Sequence, residues 1–234
     1  MSANTGKQAK KKSGGNIFFT IIIIAAMAFA GYYVVTNYVL AAKHSIKIND
    51  KELNLRSSIA QIQDSGLVMC NVNGKVIDSF DTKVKAKEIY KETYFIGVEK
   101  SAGSAVCTGI EIRPANFTSN DQSLKDCTIY ELQYTPAFHD DGVTVLVDGK
   151  DMRLASLEEW ASFLKEKGFP FSDKELDGFK TGDSKVISGI KDTHKYSAKV
   201  DYESKADENN KIKYEYSFGT LTITRDVKVE YKKK

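Results

Sequence analysis

Proline, cysteine, histidine and tryptophan are all scarce in this chain: its 234 residues hold three Pro, three Cys, three His and one Trp. So little proline in a chain that is 41% hydrophobic excludes collagen and disorder, and three cysteines are too few for a disulfide-dense scaffold. Acidic residues are missing altogether from residues 1–43, which carry Lys7, Lys10, Lys11, Lys12 and Lys43. Setting those five aside leaves 29 basic against 31 acidic groups in the other 191 residues, so the formal charge of +3 belongs to the N-terminus. A groove that neutralises phosphates needs clustered Lys and Arg, whereas the signs here alternate between the termini. Nucleic acid is not an expected partner.

Charge is absent again from Ile17 to Ala42, 26 residues interrupted only by Thr20, Gly31, Thr36 and Asn37. As a helix this run would reach roughly 39 Å, which exceeds the roughly 30 Å hydrocarbon core and allows a tilted span. Tyr32, Tyr33 and Tyr38 suit the interface. Four Lys precede the run and Lys43 alone follows it closely, so the positive-inside rule puts residues 1–16 in the cytoplasm as a basic tail and the bulk of the chain outside. The expected arrangement is thus a transmembrane helix over 17–42 in contact with the lipid bilayer. Two alternatives stay open: cleavage after Ala28-Phe29-Ala30, which has the small-x-small form of a signal-peptidase site, and pilin-like processing after Gly15. No cysteine lies in or just after the segment to take a lipid.

The remainder repeats itself. Ile46-Lys47-Ile48-Asn49-Asp50-Lys51-Glu52-Leu53-Asn54-Leu55 matches Val145-Leu146-Val147-Asp148-Gly149-Lys150-Asp151-Met152-Arg153-Leu154 in pattern, each copy alternating around hairpin-turn chemistry. A helical stretch follows each, Ser57 to Ser65 and Ser156 to Lys167, stopped by Gly66 and Gly168 at the position of a left-handed C-cap. Ser156 and Glu159 spell a capping box, and Leu157, Trp160, Ala161 and Leu164 share one helix face, which predicts Trp160 as a core anchor closed over by Phe169 and Phe171. β-rich runs complete each copy: Ala105 to Arg113 and Asp126 to Tyr134 around a polar loop from Pro114 to Leu124, then Ser197 to Ser204, Ile212 to Phe218 and Leu221 to Tyr231. The expected fold class is α+β, an N-terminal transmembrane helix followed by two similar hairpin/helix/antiparallel-sheet units at 44–139 and 140–234.

The opening strand with Asp-Gly-Lys, the helix ending in Gly168-Phe169 or Gly66-Leu67, and the run Leu124-Lys125-Asp126-Cys127-Thr128-Ile129-Tyr130 resemble uncharacterised extracytoplasmic repeat modules of Gram-positive membrane-anchored proteins and lipoproteins. The similarity covers most of residues 45–231, although the second copy lacks the Asp-Cys pair. It implies an envelope location and no activity, and it assigns no functional residue.

Motifs for catalysis are missing as well. There is no Gly-x-Ser-x-Gly elbow, no His-Glu-x-x-His, no Cys-x-x-Cys, no EF-hand loop and no phosphate-cradling glycine loop. His44, His139 and His194 read as solvated polar residues; the acidic clusters Asp140-Asp141, Asp173 to Asp177 and Asp207-Glu208 read as turn and solvation features in loops. Cys70, Cys107 and Cys127 read as small buried thiols. In a symmetric hairpin residue 107 would face 131, and a bridge from Cys107 to Cys127 would need a shifted register. Tyr202, Tyr214, Tyr216 and Tyr231 could make an exposed platform. The sequence therefore predicts a non-enzyme with no catalytic residue, no metal ligand and no cofactor, and its binding residues stay unassigned. It is expected to be a single-pass, membrane-anchored, extracytoplasmic protein that binds another envelope protein or wall component or plays a structural role there. An envelope hydrolase using acidic residues and a pilin-like subunit are the rivals.

Overall fold

A computed structural model describes the backbone of residues 14–34, 44–139, 142–191, 193–206 and 212–225, with side chains over 21–31, 44–136, 142–191, 193–200 and 219–225. Contacts divide the chain into two units, Met1–Ala41 and Ala42–Lys234. In the first, helix α1 (Gly14–Val34) exposes Ile21, Ile22, Ile23, Ile24, Met27 and Phe29. Among the described residues no helix is long and apolar enough to cross a membrane: side chains are described for only eleven residues of α1, which rise about 16 Å against the roughly 30 Å of a hydrocarbon core. The rest of the 17–42 span lies outside those side chains, and residues 1–13 lie outside the described residues altogether.

The second unit is a mixed α+β structure made mostly of sheet. It opens with strands β1 (Ile46–Ile48) and β2 (Lys51–Leu53), then helix α2 (Ile59–Asp64), β3 (Val68–Cys70), β4 (Lys83–Val84), β5 (Tyr94–Ser101), β6 (Ser104–Ala115), β7 (Gln122–Ser123) and β8 (Thr128–His139). There follow β9 (Val145–Val147), helices α3 (Leu157–Glu166) and α4 (Asp173–Thr181), and β10 (Val186–Lys191), β11 (His194–Ala206) and β12 (Ile212–Arg225). The runs expected at 212–218 and from 221 onward are one strand, β12, because no turn residue other than Gly219 separates them and Gly219 continues the ladder opposite Val200. The expected 114–124 loop is shorter than its sequence suggests: β6 continues to Ala115, and Gln122–Ser123 pairs with β4.

The local signals of the repeat are realised. Asp148 and Gly149 both have positive φ, 47° and 83°, as a type I′ turn requires. Gly66 and Gly168 stand just past α2 and α3 with φ of 83° and 69°, the left-handed cap that a side chain would oppose. The Ser156 side chain accepts from the Glu159 backbone N–H while the Glu159 side chain accepts from that of Ser156, and Ser58 with Gln61 builds an equivalent box on α2. The second copy nevertheless has a second helix where the acids Asp173 to Asp177 suggested a loop. Ser172 and Glu175 form a third capping box, their carboxylate favoured by the helix N-terminus, and Leu176 and Phe179 turn a buried face inward.

The two copies do not form separate domains. The seven-stranded sheet runs β10-β11-β12-β8-β6-β5-β3, so the first copy contributes four strands and the second three, and the two sets join where β12 pairs with β8, Ile223 opposite Leu132 and Leu221 opposite Tyr134. A second seam joins β1 to β9 in the three-stranded sheet β2-β1-β9, Ile46 opposite Val147 and Ile48 opposite Val145. The seam contacts come in matched pairs. Asn49 N–H donates to the Thr144 carbonyl at 2.8 Å and Asn49 Oδ1 accepts from Thr144 N at 2.9 Å; Asp148 N–H donates to the Ser45 carbonyl at 2.7 Å and Asp148 Oδ1 accepts from Ser45 N at 2.7 Å. Antiparallel pairing of equivalent strands at both seams is the pattern of a local two-fold relation. One hydrophobic core, including Ile48, Ile62, Ile112, Leu132, Val147, Trp160, Phe179 and Ile223, spans both copies. The boundary expected near 139/140 is a crossing of the chain, not a break in the core.

Gly189 marks how closely α3 and α4 are held to the sheet edge. A Cβ there would collide with the Pro170 carbonyl oxygen and stand 2.9 Å from its carbon, both backbone atoms that cannot swing aside. Gly189→Ala is therefore expected to lower the stability in urea titration by about 1–3 kcal/mol. Gly142→Ala, where nothing lies within 4 Å of the added carbon, is the matched control and leaves the midpoint nearly unchanged.

Candidate binding cleft

A cleft of about 440 Å³ lies on the connection from β9 into α3, lined by Lys150, Asp151, Arg153, Leu154, Ala155 and Glu159. Local chemistry fixes each wall. Lys150 exchanges backbone hydrogen bonds with Val147 at 2.9 and 3.0 Å, closing the turn. Asp151 Oδ1 accepts from Arg153 N at 2.9 Å, and its other oxygen takes Nε at 3.1 Å and a terminal guanidinium nitrogen at 2.9 Å. The Glu159 carboxylate accepts from Ser156 N at 2.8 Å and from the Ser156 hydroxyl at 3.1 Å. Those hydrogen bonds hold the Glu159 carboxyl below the ordinary range, with the Lys150 ammonium adding to the effect, so it stays ionised at neutral pH.

Leu154 is the outlier of the cleft. It is 99% exposed, although the sequence pattern pairs it with Leu55, which is only 7% exposed and belongs to the core. The pattern fails there because the second copy reaches its helix by a different path. Asn54 Oδ1 accepts from Arg56 N, a turn that encloses Leu55, whereas Asp151 Oδ1 accepts from Arg153 N, a turn that closes before Leu154; the Ser156 cap then follows Leu154 by two residues where the Ser58 cap follows Leu55 by three.

Beneath the connection lies a polar group with an unusual setting. Tyr134 is fully buried, its hydroxyl has no hydrogen-bond partner among the described residues, and burial above all, then the nearby Asp151 carboxylate, push its pKa well above the ordinary tyrosine value despite the opposing Arg153 charge. The indole N–H of Trp160 is likewise buried without a partner among the described residues. Two donors left unpaired in a core are uncommon and each costs about 1–3 kcal/mol.

The residues singled out by sequence fare differently. Trp160, Phe169 and Phe171 are core, as expected. His44 and His194 are not solvated: His44 Nδ1 lies 2.7 Å from Asp148 Oδ2, and its ring stacks on Phe169 at 4.3 Å and meets Tyr196 edge-on at 5.4 Å. A partner 104 positions away cannot be read from local sequence. His194 is likewise buried, near the Tyr196 ring. The side chains of His139, Asp140-Asp141, Asp207-Glu208, Tyr202, Tyr214, Tyr216 and Tyr231 lie outside those described. Cys127 is a buried thiol that donates to the Ser123 carbonyl and accepts from Gln122. Among the described residues no group of three or more His, Cys, Asp or Glu is placed to hold a metal ion.

The arrangement can grip but holds no activated nucleophile. It offers a protruding aliphatic side chain, a rim carrying both charge signs, and two carboxylates already engaged by Arg153 and Ser156. Compared with known proteins, the chain matches no family model, no curated protein and no solved structure.

Proposed function

We propose that this chain is a single-pass, membrane-anchored extracytoplasmic protein with a non-catalytic binding role at the cell envelope, of the same kind as the Gram-positive repeat modules its short motifs resemble. The observation that carries the reading is the uncharged run from Ile17 to Ala42. Its central part is helical with large apolar side chains exposed, a surface that demands an apolar surround. The Lys asymmetry then sets residues 1–16 on the cytoplasmic side and residues 44–234 outside.

Binding is assigned to the Leu154 cleft. An exposed aliphatic anchor rimmed by Lys150, Arg153, Asp151 and Glu159 suits a polypeptide, whose side chains and backbone supply apolar and polar groups together. Hydrolysis of a glycan would require one carboxyl kept protonated as the acid; Glu159 is held ionised instead. The test places a photo-crosslinking amino acid at position 154 of the full chain in intact cells, with the same residue at exposed Glu99 as control. A discrete adduct with one envelope protein from position 154 alone is expected. Equal diffuse labelling from both positions would count against the cleft. Leu154→Ser should reduce complex recovery while altering stability by less than about 0.5 kcal/mol, as for other surface substitutions.

A further inference from the structure

The sheet closes on itself at its β3 end. Cys70 of β3 lies opposite Phe95 of β5, and Gly97 of β5 lies opposite Cys107 of β6. Ser104 at the start of β6 is bridged to Lys75, and Val76 is bridged back to Cys70. Ala105 N–H donates to the Gly74 carbonyl at 2.8 Å and Val76 N–H to that of Gly103 at 3.1 Å, so the chain after β3 is drawn across to β6.

Residues opposite one another share a face, as do alternate residues of one strand. Cys70, Phe95, Gly97 and Cys107 therefore point the same way. A side chain at position 97 would separate the two sulfurs; glycine leaves the space open, and a Cβ there would stand 3.2 Å from Cys70 Sγ and 2.8 Å from Ala105 Cβ. Across this space Cys107 is close enough to Cys70 to strengthen the hold of the Cys70 thiol on its proton. The Cys70 thiol donates to the Phe95 carbonyl, which leaves its sulfur facing Cys107 as a protonated thiol. Cys70 is fully buried, while Cys107 is partly open to solvent.

The register explains why this pair is hidden in the sequence. Two steps along β5, from Phe95 to Gly97, span four on β6, from Glu111 to Cys107, across a bulge that contains Gly109. The residue opposite Glu131 is Arg113, which moves Cys107 away from Cys127 and toward β3.

We propose that Cys70 and Cys107 form an oxidisable pair that closes the β3–β6 ring with an intramolecular disulfide, while Cys127 stays reduced. With a low-molecular-weight disulfide as oxidant, the Cys107 thiolate attacks one of its sulfurs, the S–S bond breaks, and one thiolate leaves. Cys70 then gives up its proton to solvent and attacks Cys107 Sγ, expelling the second small thiolate. Two protein thiols are oxidised and one small disulfide is reduced to two thiols. Burial, then the neighbouring Cys107, push the Cys70 thiol up to about 12, so the second step quickens as the pH rises. The geometry holds wherever the protein resides; location decides only whether an oxidant is met.

The test uses the reduced full chain in detergent, incubated with oxidised glutathione, denatured, alkylated and mapped by mass spectrometry. The expected result is a chain lighter by two hydrogen atoms before alkylation, one alkylated residue, Cys127, and a linked pair of peptides containing Cys70 and Cys107. The Cys127→Ser chain should lose both of its thiols in the same way. Cys70→Ser should stop at a glutathione adduct on Cys107. Three alkylated cysteines in the wild-type chain, a bridge involving Cys127, or a persistent glutathione adduct without the linked peptides would each overturn the proposal.

Discussion

Separating the chain at residues 139/140 is expected to destroy the fold of both copies. Fragment 44–139 would lose the strands that cover β8 and β1, leaving Leu132, Tyr134, Ile46 and Ile48 without their partners Ile223, Leu221, Val147 and Val145. All eight are buried in the intact unit. Exposing just four such side chains costs about 6–12 kcal/mol, which rivals the entire stability of about 5–15 kcal/mol of an ordinary domain. The bared edges would also be open to pairing with other chains. Circular dichroism and sedimentation of fragment 44–139 should show an unfolded chain or a self-associated species that replaces the missing copy, while fragment 44–234 folds in one transition. A monomeric 44–139 that melts cooperatively would show that the seams are incidental.

Trp160→Ala has the next largest expected effect. The indole is only 1% exposed, meets Phe163 edge-on at 6.2 Å and lies against the backbone of β12, where a Cβ at Gly219 would stand 2.8 Å from its Cε2 atom. Truncation of a buried Trp costs about 3–5 kcal/mol; at about 2–4 °C per kcal/mol for a unit of this size, the melting temperature should fall by about 6–20 °C. Because the core is shared, the whole of 44–234 should melt earlier rather than its second half alone. Gly219→Ala should destabilise the wild-type chain and be nearly neutral in the Trp160→Ala background, since the clash leaves with the indole. Wild-type melting in Trp160→Ala would refute the packing assignment.

What the sequence discloses is what acts over a few residues. The Ser156/Glu159 box, the Gly66 and Gly168 caps and the turn at Asp148-Gly149 are fixed by hydrogen bonds and φ preferences within one turn of chain, and all are where the pattern predicts them. Helix α4 obeys the same rules, since Ser172, Glu175 and Gly182 spell its start and stop. Its run of charge masked a signal that was present. The seams had no such signal, because a repeat in sequence is compatible both with two independent units and with two halves of one sheet. Which of these occurs depends on whether β8 and β12 are covered by anything else. His44 with Asp148, and Cys70 with Cys107, are likewise products of long-range register. The cleft was legible only in part: the capping box marks its wall, but Leu154 is exposed in a connection one residue shorter than its counterpart, whose turn at Asp151 closes earlier than the one at Asn54.

The placement of the chain across a membrane is the claim on which the proposed function rests, and added protease tests it most directly. Intact cells stripped of their wall are treated with trypsin, and the chain is followed with antibodies to an N-terminal and a C-terminal tag. The account predicts that residues beyond Lys43 are digested while a membrane-bound fragment keeping the N-terminal tag survives, and that both tags are lost once detergent opens the cells. Full protection of the C-terminal tag in intact cells, or a chain recovered in the soluble fraction, would contradict it.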